Sequence, residues 1–122
     1  SARNLLIEYK LKSYKKLKKI LEKSKEKNVI VFCAGGYGKT ALKILLNSGA
    51  KIDFIVDNNP IYCEKKIDQF TIKSPLYLKK NINKFSNFKI FISNKKNSVF
   101  NQIKLQLKKI GIENKNIIHF DL

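Results

Sequence analysis

The stretch FCAGGYGKT, residues 32–40, decides how the rest of this sequence is interpreted. Its glycines, lysine and threonine fit most of two patterns whose backbone amides hold phosphate groups. One is the P-loop, G-x-x-x-x-G-K-[ST], and the other is the dinucleotide-type turn, G-x-G-x-x-G. Both patterns put their first glycine at position 33, where this sequence has Cys33. The choice between them therefore depends on the surrounding chain.

The P-loop interpretation uses the end of the stretch. Gly38, Lys39 and Thr40 supply its last three members. Asp57, at the end of a later apolar run, would then be the acid on the magnesium side. The missing first glycine, an interposed pair of glycines and the shortness of the chain argue against this interpretation.

The dinucleotide-type turn accounts for more of the same residues. Gly35 and Gly38 take the second and third glycine positions, and Asp57 is the acid expected about 20 residues further on. Gly35 would let the backbone approach a diphosphate, and Gly38 would let the helix pack close to the strand. We therefore predict a nucleotide site at this turn.

Neighbouring residues complete the predicted contacts with that ligand. Backbone amides around Gly36 and Tyr37 would face the anion at a helix N-terminus, where Lys39 adds positive charge. Asp57 would accept hydrogen bonds from ribose hydroxyls, which suits NAD or a nucleoside diphosphate better than a 2′-phosphate. The alternative for Asp57 is a carboxylate that caps the turn after its strand.

Strands and helices alternate along the chain. Apolar, β-branched runs predict strands at residues 29–32, 52–57, 70–72, 88–93 and 116–120. Helical spacing predicts one helix that ends at residues 47–49 and another that ends at Gly111, with a short helix opened by Ser74-Pro75 between them. This alternation predicts an α/β, Rossmann-like fold, with a parallel sheet of about five strands and helices on both faces.

A sheet of this type binds ligands at the carboxyl ends of its strands, where the strand order reverses. We expect the first and fourth of these five strands to flank that crevice. The glycine turn would form one wall, Asp57 and Asn58 a second, and Ser93 and Asn94 a third. For Asn58 and Ser93, a role in the turns themselves is the alternative.

The first 27 residues predict an amphipathic helix that precedes this domain. Its apolar positions recur at spacings of three and four, with lysines on the other face: Ile7, Leu11, Tyr14, Leu17 and Leu21. We expect the helix to close at Asn28 and the Rossmann-like domain to occupy residues 28–122. The helix would pack on the domain, with a membrane surface or a partner as the alternative.

The net charge of +17 bears on possible polyanionic partners. All but one of the 26 basic residues are lysine, and Arg3 is the exception. Proteins that read bases favour arginine for its planar, bidentate fork, so the charge indicates a lysine-rich solvated surface and no specific nucleic-acid partner. The sequence also lacks an apolar run of 18 or more residues and a secretion signal, so it predicts no transmembrane segment.

Signals for catalysis are weak. Cys33 and Cys63 lack metal-ligand spacing, and we expect them to be reduced thiols of a cytoplasmic protein. Cys33 has no visible base partner, because the single histidine, His119, lies on the last predicted strand. Paired carboxylates, zinc spacing and a serine triad are missing from the sequence. We therefore predict no catalytic and no metal-binding residue in this chain alone.

Two segments resemble a known family. CAGGYGKTALKILLNSG followed by IDFIVDNNP is similar to the Rossmann-like domains of bacterial surface-polysaccharide and nucleotide-sugar biosynthesis proteins, in which GAGGYG and an aspartate-asparagine pair recur. The resemblance continues through IKSPLYL to FISNKKNSVFNQIKLQLKKIGI and covers roughly residues 28 to 120. Cys33 departs from the family pattern at the first glycine.

The resemblance implies a ligand and a biological setting. Similar domains form parts of sugar acetyltransferases, membrane-linked nucleotide-sugar dehydratases and sugar methyltransferases. A nucleotide-sugar or NAD-like ligand, and a role in making capsule, lipooligosaccharide or other glycan sugars, are therefore implied. The reaction stays open, because this fold is attached to several chemistries.

Two hypotheses of different classes follow. In the first, the chain is the nucleotide-binding domain of a larger bacterial transferase, dehydratase or oxidoreductase; the sequence contains no Met, so we expect a flanking domain. In the second, it is a structural or assembly domain that lost its ligand, which Cys33 and the basic helix favour and which predicts a homo-oligomer or other partner. A nucleic-acid module is the third and weakest hypothesis.

Overall fold

A seven-stranded sheet forms the centre of the protein. The structure, a computed structural model, describes residues 9–10, 13–23, 28–85 and 87–122. The strands are β1 (Tyr9–Lys10), β2 (Asn28–Phe32), β3 (Ile52–Val56), β4 (Lys66–Ile67), β5 (Phe70–Lys73), β6 (Phe88–Ser93) and β7 (Ile117–Phe120). Their spatial order is β1-β7-β6-β2-β3-β5-β4, and all neighbours are parallel except β4 and β5.

In the part of the chain that the structure describes, four α-helices connect these strands: α1 (Tyr14–Lys23), α2 (Gly36–Asn47), α3 (Pro75–Asn81) and α4 (Asn97–Lys109). The predicted start of α3 is confirmed, because the Ser74 hydroxyl accepts a hydrogen bond from the Tyr77 amide at 3.2 Å, with Pro75 in the first turn. The described residues also form three short 3₁₀ turns: Pro60–Tyr62, Ile82–Lys84 and Asn114–Asn116.

Two apolar clusters cover the two faces of the sheet. Successive strand residues point to opposite faces, so Val29 and Val31 enter one cluster while Ile30 and Phe32 enter the other. The first cluster packs under α1 and α2, with Leu17, Leu42 and Leu45 fully buried, and the second packs under α3 and α4, with Leu78, Phe100 and Leu107 fully buried. The predicted α/β fold with helices on both faces is confirmed.

The strand order reverses at β2, as expected for the first of the five predicted strands. Phe32, the last residue of β2, pairs with Val56 of β3 on one side and with Ile92 of β6 on the other. The chain leaves β2 towards β3 and returns later to the other side of β2 to form β6. The crevice predicted between the first and fourth of those strands therefore lies at the carboxyl ends of β2 and β6.

The prediction of one helix through the N-terminal segment was wrong in its extent. Tyr9–Lys10 forms β1, which pairs with β7 and supplies hydrogen-bond partners to a strand that would otherwise end the sheet. The helix begins at Tyr14, whose side chain is 58% exposed although it was assigned to the apolar face. Asn28, expected to close the helix, belongs to β2. Ile7 and Leu11 lie outside the described residues.

Leu17 connects α1 to the rest of the fold. Its side chain is fully buried in the cluster under α2, and Ile20 and Leu21 pack against the same cluster. The division of the chain at residues 27 and 28 stays a prediction. Among the described residues, no helix combines the length and the apolar content needed to cross a bilayer.

Candidate functional site

The turn after β2 has the backbone of a glycine turn without its first glycine. Cys33 adopts a φ of 89°, in the left-handed region that side chains disfavour by about 1–2 kcal/mol. Its amide donates a 2.7 Å hydrogen bond to the carbonyl oxygen of Val56, and its side chain packs against the cluster under α4. Cys33 thus keeps the sharp turn for which the pattern uses glycine.

Gly38 lies where the first turn of α2 crosses the end of β2. A Cβ atom at Gly38 would approach the carbonyl oxygen of Cys33 to 2.2 Å and its carbonyl carbon to 3.0 Å, well inside normal contact distance. The close helix–strand approach predicted for Gly38 is therefore present. Gly35 and Gly36 have no atom within 4 Å of such a Cβ, so the space around them is open.

The start of α2 presents backbone amides at the same edge of the sheet. Gly35 is the N-cap residue and provides no side-chain cap for the amides of the first turn, which include those of Gly36 and Tyr37. These amides form the positive end of the helix dipole. Lys39 is exposed in this first turn and adds a positive charge. This arrangement favours an anion.

Asp57 links the glycine turn to the turn after β3. Its Oδ2 accepts a 2.7 Å hydrogen bond from the Ala34 amide, and its Oδ1 accepts a 2.7 Å hydrogen bond from the Asn59 amide. The capping role considered as the alternative for Asp57 is thus present. The side chain is only half-buried, and a carboxylate oxygen has a second lone pair, so Asp57 retains capacity for a further donor.

The side chain of Asn58 pairs with a residue of α4. Asn58 Nδ2 donates to Gln106 Oε1 at 3.0 Å, and Asn58 Oδ1 accepts from Gln106 Nε2 at 2.7 Å. Two hydrogen bonds therefore join the two side chains. Gln106 belongs to α4. Nothing in the local sequence around Asn58 indicates this partner, because 48 residues separate the pair.

Ser93 ends β6 beside the glycine turn, and Asn94 follows it. The Ser93 hydroxyl lies 3.0 Å from the carbonyl oxygens of both Phe32 and Cys33, and the residue is 1% exposed. Ser93 therefore fastens the end of β2 to β6. Asn94 is half-buried, and its Oδ1 accepts a 2.9 Å hydrogen bond from the Lys96 amide.

Tyr37, in the glycine turn, contacts two residues that the sequence analysis did not predict at this site, Leu122 and Lys95. Its hydroxyl donates a hydrogen bond to the carbonyl oxygen of Leu122, and Lys95 Nζ lies 5.3 Å from the centre of its ring. Burial, with the nearby Asp121 and Tyr14, raises the pKa of Tyr37 to about 12. The phenol therefore remains a hydrogen-bond donor at neutral pH.

Cys33 and His119 do not have the environments of a nucleophile and its base. Burial, reinforced by the negative charge of Asp57, raises the pKa of Cys33 to about 12, which keeps the thiol protonated. His119 is fully buried, stacks on Phe100 with ring centroids 4.1 Å apart, and donates from Nε2 to the Asn94 carbonyl oxygen at 2.6 Å.

The part of the chain that the structure describes contains no cluster of potential metal ligands. There, no three His, Cys, Asp or Glu side chains come together as a metal site. Cys33 and Cys63 are both free thiols. What this edge of the sheet offers is backbone amides, an exposed lysine and a carboxylate, which are groups for binding a phosphorylated ligand.

Comparison with solved structures identifies relatives of this fold. The Rex-family repressor RSP matches with a TM-score of 0.60 and 20% identity, over 88% of this chain and 58% of the repressor chain. RSP in complex with β-NADH matches with a TM-score of 0.58 and 18% identity, over 88% and 58% of the two chains. UDP-D-quinovosamine 4-dehydrogenase from Vibrio fischeri matches with a TM-score of 0.57 and 20% identity, over 70% and 73%.

These likenesses show that the chain has a Rossmann-like fold. The chain spans somewhat more than half the length of the RSP chain that it matches. No protein family model and no curated protein sequence matches it.

Proposed function

We propose that this chain is a nucleotide-binding domain whose ligand, NAD or a nucleotide-sugar, binds at the carboxyl ends of β2 and β6. The observation that carries the proposal is the approach of Gly38 to Cys33, which leaves no room for a side chain and brings the amides of α2 to the end of the central strand. The left-handed turn at Cys33 makes the same approach possible. Two of the similar structures are named for β-NADH binding and for action on a UDP-sugar.

The residues at this edge fit a phosphorylated nucleotide. The amides of Gly35, Gly36 and Tyr37 would hold the diphosphate against the start of α2, with Gly38 allowing the approach. Lys39 would add positive charge. Asp57 would accept hydrogen bonds from the ribose through the lone pairs that Ala34 and Asn59 leave free.

The remaining predicted site residues would act in two ways. Asn94, the half-buried residue that follows β6, would contact the ligand directly. Ser93 and Asn58 would hold the walls in place, because the hydroxyl of Ser93 is engaged by β2 and the amide of Asn58 by Gln106. NAD, when bound, supplies hydride chemistry, and the contribution of this chain would be binding and orientation.

The biological setting that we propose rests on the sequence resemblance. The chain would serve a larger cytoplasmic bacterial enzyme that makes sugars for capsule, lipooligosaccharide or other glycans. Within that enzyme it would supply the nucleotide site, and the flanking part would supply the catalytic groups. The +17 charge would favour an anionic ligand electrostatically without selecting among nucleotides.

A thermal-shift panel tests the ligand. We would measure the melting temperature of the chain with NAD, NADH, NADP, UDP-sugars, CDP-sugars and GDP-sugars. A ligand present at about a hundred times its dissociation constant stabilises the folded state by about 2.7 kcal/mol, which such a panel resolves. We expect NAD or one nucleotide-sugar to raise the melting temperature, and a panel without any shift at millimolar concentration would overturn the proposal.

Two matched carboxylate variants test whether a rise in melting temperature comes from binding at the proposed nucleotide site. Asp57→Asn changes the acid at the carboxyl end of β3, and Asp53→Asn changes an exposed acid nearer the amino end of the same strand. Each variant is compared with its own ligand-free form, because Asp57 also holds two backbone amides. We expect Asp57→Asn to reduce the shift and Asp53→Asn to retain it.

The assembly hypothesis makes the opposite prediction. Self-association that is unaffected by Asp57→Asn, together with a silent ligand panel, would favour a domain that kept the fold and lost the ligand. Binding to duplex or single-stranded DNA that survives physiological salt would favour the nucleic-acid hypothesis.

A further inference from the structure

Helices α3 and α4 leave an apolar groove between them. The groove has a volume of about 230 Å³. Its lining comes from both helices and the residue that follows α4: Pro75, Leu76 and Leu78 of α3, Gln106 and Leu107 of α4, and Ile110. Leu78 and Leu107 form a fully buried floor, whereas Leu76 is 56% exposed. The proposed nucleotide site accounts for none of this apolar surface.

The size of the groove restricts what it can hold. Pockets for drug-sized ligands and cofactors occupy about 300–1,000 Å³, so a groove of this volume is too small for a nucleotide. It is large enough for one or two aliphatic side chains of a protein segment. Such side chains are the anchors that bury most of the apolar surface when a segment docks in a groove between helices.

The charged residues on the two helices that form the groove are all lysines. Neither α3 nor α4 contains an aspartate or a glutamate. Lys79 lines the groove, and Lys80, Lys108 and Lys109 are exposed at the ends of the same two helices. Because these last turns hold carbonyl groups at the negative ends of the helix dipoles, the lysines are favourably placed there and the rim stays positive.

We propose that this groove binds an acidic segment of a partner protein, with aliphatic side chains that enter the groove and carboxylates that meet the lysines of its rim. Opposite charge favours such a partner and speeds its association. A second copy of this chain would bring a like-charged surface to the rim, since each copy carries a net charge of +17. The proposal does not depend on the nucleotide site.

A synthetic peptide tests the proposal. The probe is a fluorescein-labelled, helix-forming peptide of about 16 residues, with leucines four residues apart among glutamates. Fluorescence anisotropy measures its binding to the intact chain at low salt and at physiological salt. We expect saturable binding that weakens as salt screens the charges, and no binding at about 1 mM chain would overturn the proposal.

Two exposed leucines provide a matched pair of variants. Leu76→Ser removes an aliphatic wall of the groove, and Leu105→Ser changes a leucine that is 59% exposed on α4 and does not line the groove. We expect Leu76→Ser to weaken peptide binding by about tenfold and Leu105→Ser to leave it unchanged. Circular dichroism establishes that both variants fold. Equal weakening by the two variants would overturn the proposal.

A second peptide separates charge from apolar contact. Replacing its glutamates by glutamines retains the leucines and removes the carboxylates. We expect this neutral peptide to bind at least several-fold more weakly, whereas equal binding would contradict the role of the lysine rim. Analytical sedimentation of the chain alone tests whether a second copy of the chain occupies the groove. A dimer that dissociates in the Leu76→Ser variant would assign the groove to self-association and overturn the proposal.

Discussion

A Cβ atom on Gly38 would lie 2.2 Å from the carbonyl oxygen of Cys33. Gly38→Ala therefore forces α2 away from the end of β2, and the residue cannot escape by a rotamer change because Cβ has no torsional freedom. We expect the free energy of unfolding to fall by roughly 1–3 kcal/mol, as for other overpacked sites. Urea unfolding followed by circular dichroism measures this loss.

Gly36→Ala is the control for that substitution. Gly36 is also in the first turn of α2, but nothing lies within 4 Å of an added Cβ atom. Because alanine is the better helix former, we expect this variant to be neutral or stabilised by up to about 1 kcal/mol. Equal stability of the two variants would mean that α2 does not approach β2 as described.

The left-handed backbone at Cys33 gives a second stability prediction. Cys33→Gly and Cys33→Ala both remove the sulfur atom, but only glycine relieves the unfavourable φ of 89°. We expect Cys33→Gly to be more stable than Cys33→Ala by about 1 kcal/mol, since the strain relieved exceeds the extra chain entropy of glycine. The comparison uses urea midpoints, and an alanine variant as stable as the glycine variant would contradict it.

Cys33 also has a testable pH dependence. With the pKa of its thiol raised to about 12, the reactive thiolate is scarce at pH 8, roughly 10⁻⁴ of the total, against about 0.2 for an ordinary thiol. We expect iodoacetamide to modify Cys33 on the order of 10³-fold more slowly than an unfolded cysteine at pH 8. The rate should rise about tenfold per pH unit while the fold persists, because deprotonation supplies the nucleophile.

Asp57→Asn tests one cause of the raised pKa of Cys33. Removing the carboxylate charge lowers the pKa of Cys33 towards its ordinary value, although burial remains the larger cause. Modification at pH 8 should therefore become faster, as peptide mass spectrometry of Cys33 will measure. A parent rate that levels off near pH 9 would show that the thiol is not held in its protonated form.

We predict that the buried hydroxyl of Ser93 stabilises the fold. Its buried hydroxyl contacts two carbonyl groups at the end of β2, so Ser93→Ala leaves those acceptors without this donor. We expect a loss of about 1–2 kcal/mol in the free energy of unfolding. Ser98→Ala, at an exposed position in the first turn of α4, should change it by less than about 0.5 kcal/mol. Similar losses for the two variants would argue against a role for Ser93 in fastening the turn.

The main features of the fold could be predicted from short-range patterns. Buried parallel strands are continuous apolar runs, so β2, β3 and β6 are recognisable in the sequence. Gly38 could be assigned to the close approach of α2 to β2, because only glycine permits it. β1 was missed because its two residues join the sheet through backbone pairing with β7, which no side-chain pattern records. β4 is likewise a two-residue strand at the other edge of the sheet.

The candidate site could be predicted in position but only partly in its contacts. Asp57 was expected near the glycine turn, and the structure places it there, bonded to Ala34 and Asn59. The partner of Asn58 depends on how α4 packs, and the partner of Tyr37 depends on where the chain passes after β7. Such contacts join residues far apart in the sequence, so local patterns do not reveal them.

The position of β2 in the sheet also has a kinetic consequence. β2 pairs on one side with β3, which follows after a single helix, and on the other with β6, which follows only after β3, β5 and α3. Closing the longer loop costs more chain entropy, so we expect β2, α2 and β3 to associate before β6 joins them. The crevice between β2 and β6 would then be completed late in folding. A ligand that needs both of its walls would recognise the finished domain and leave a partly folded chain unbound.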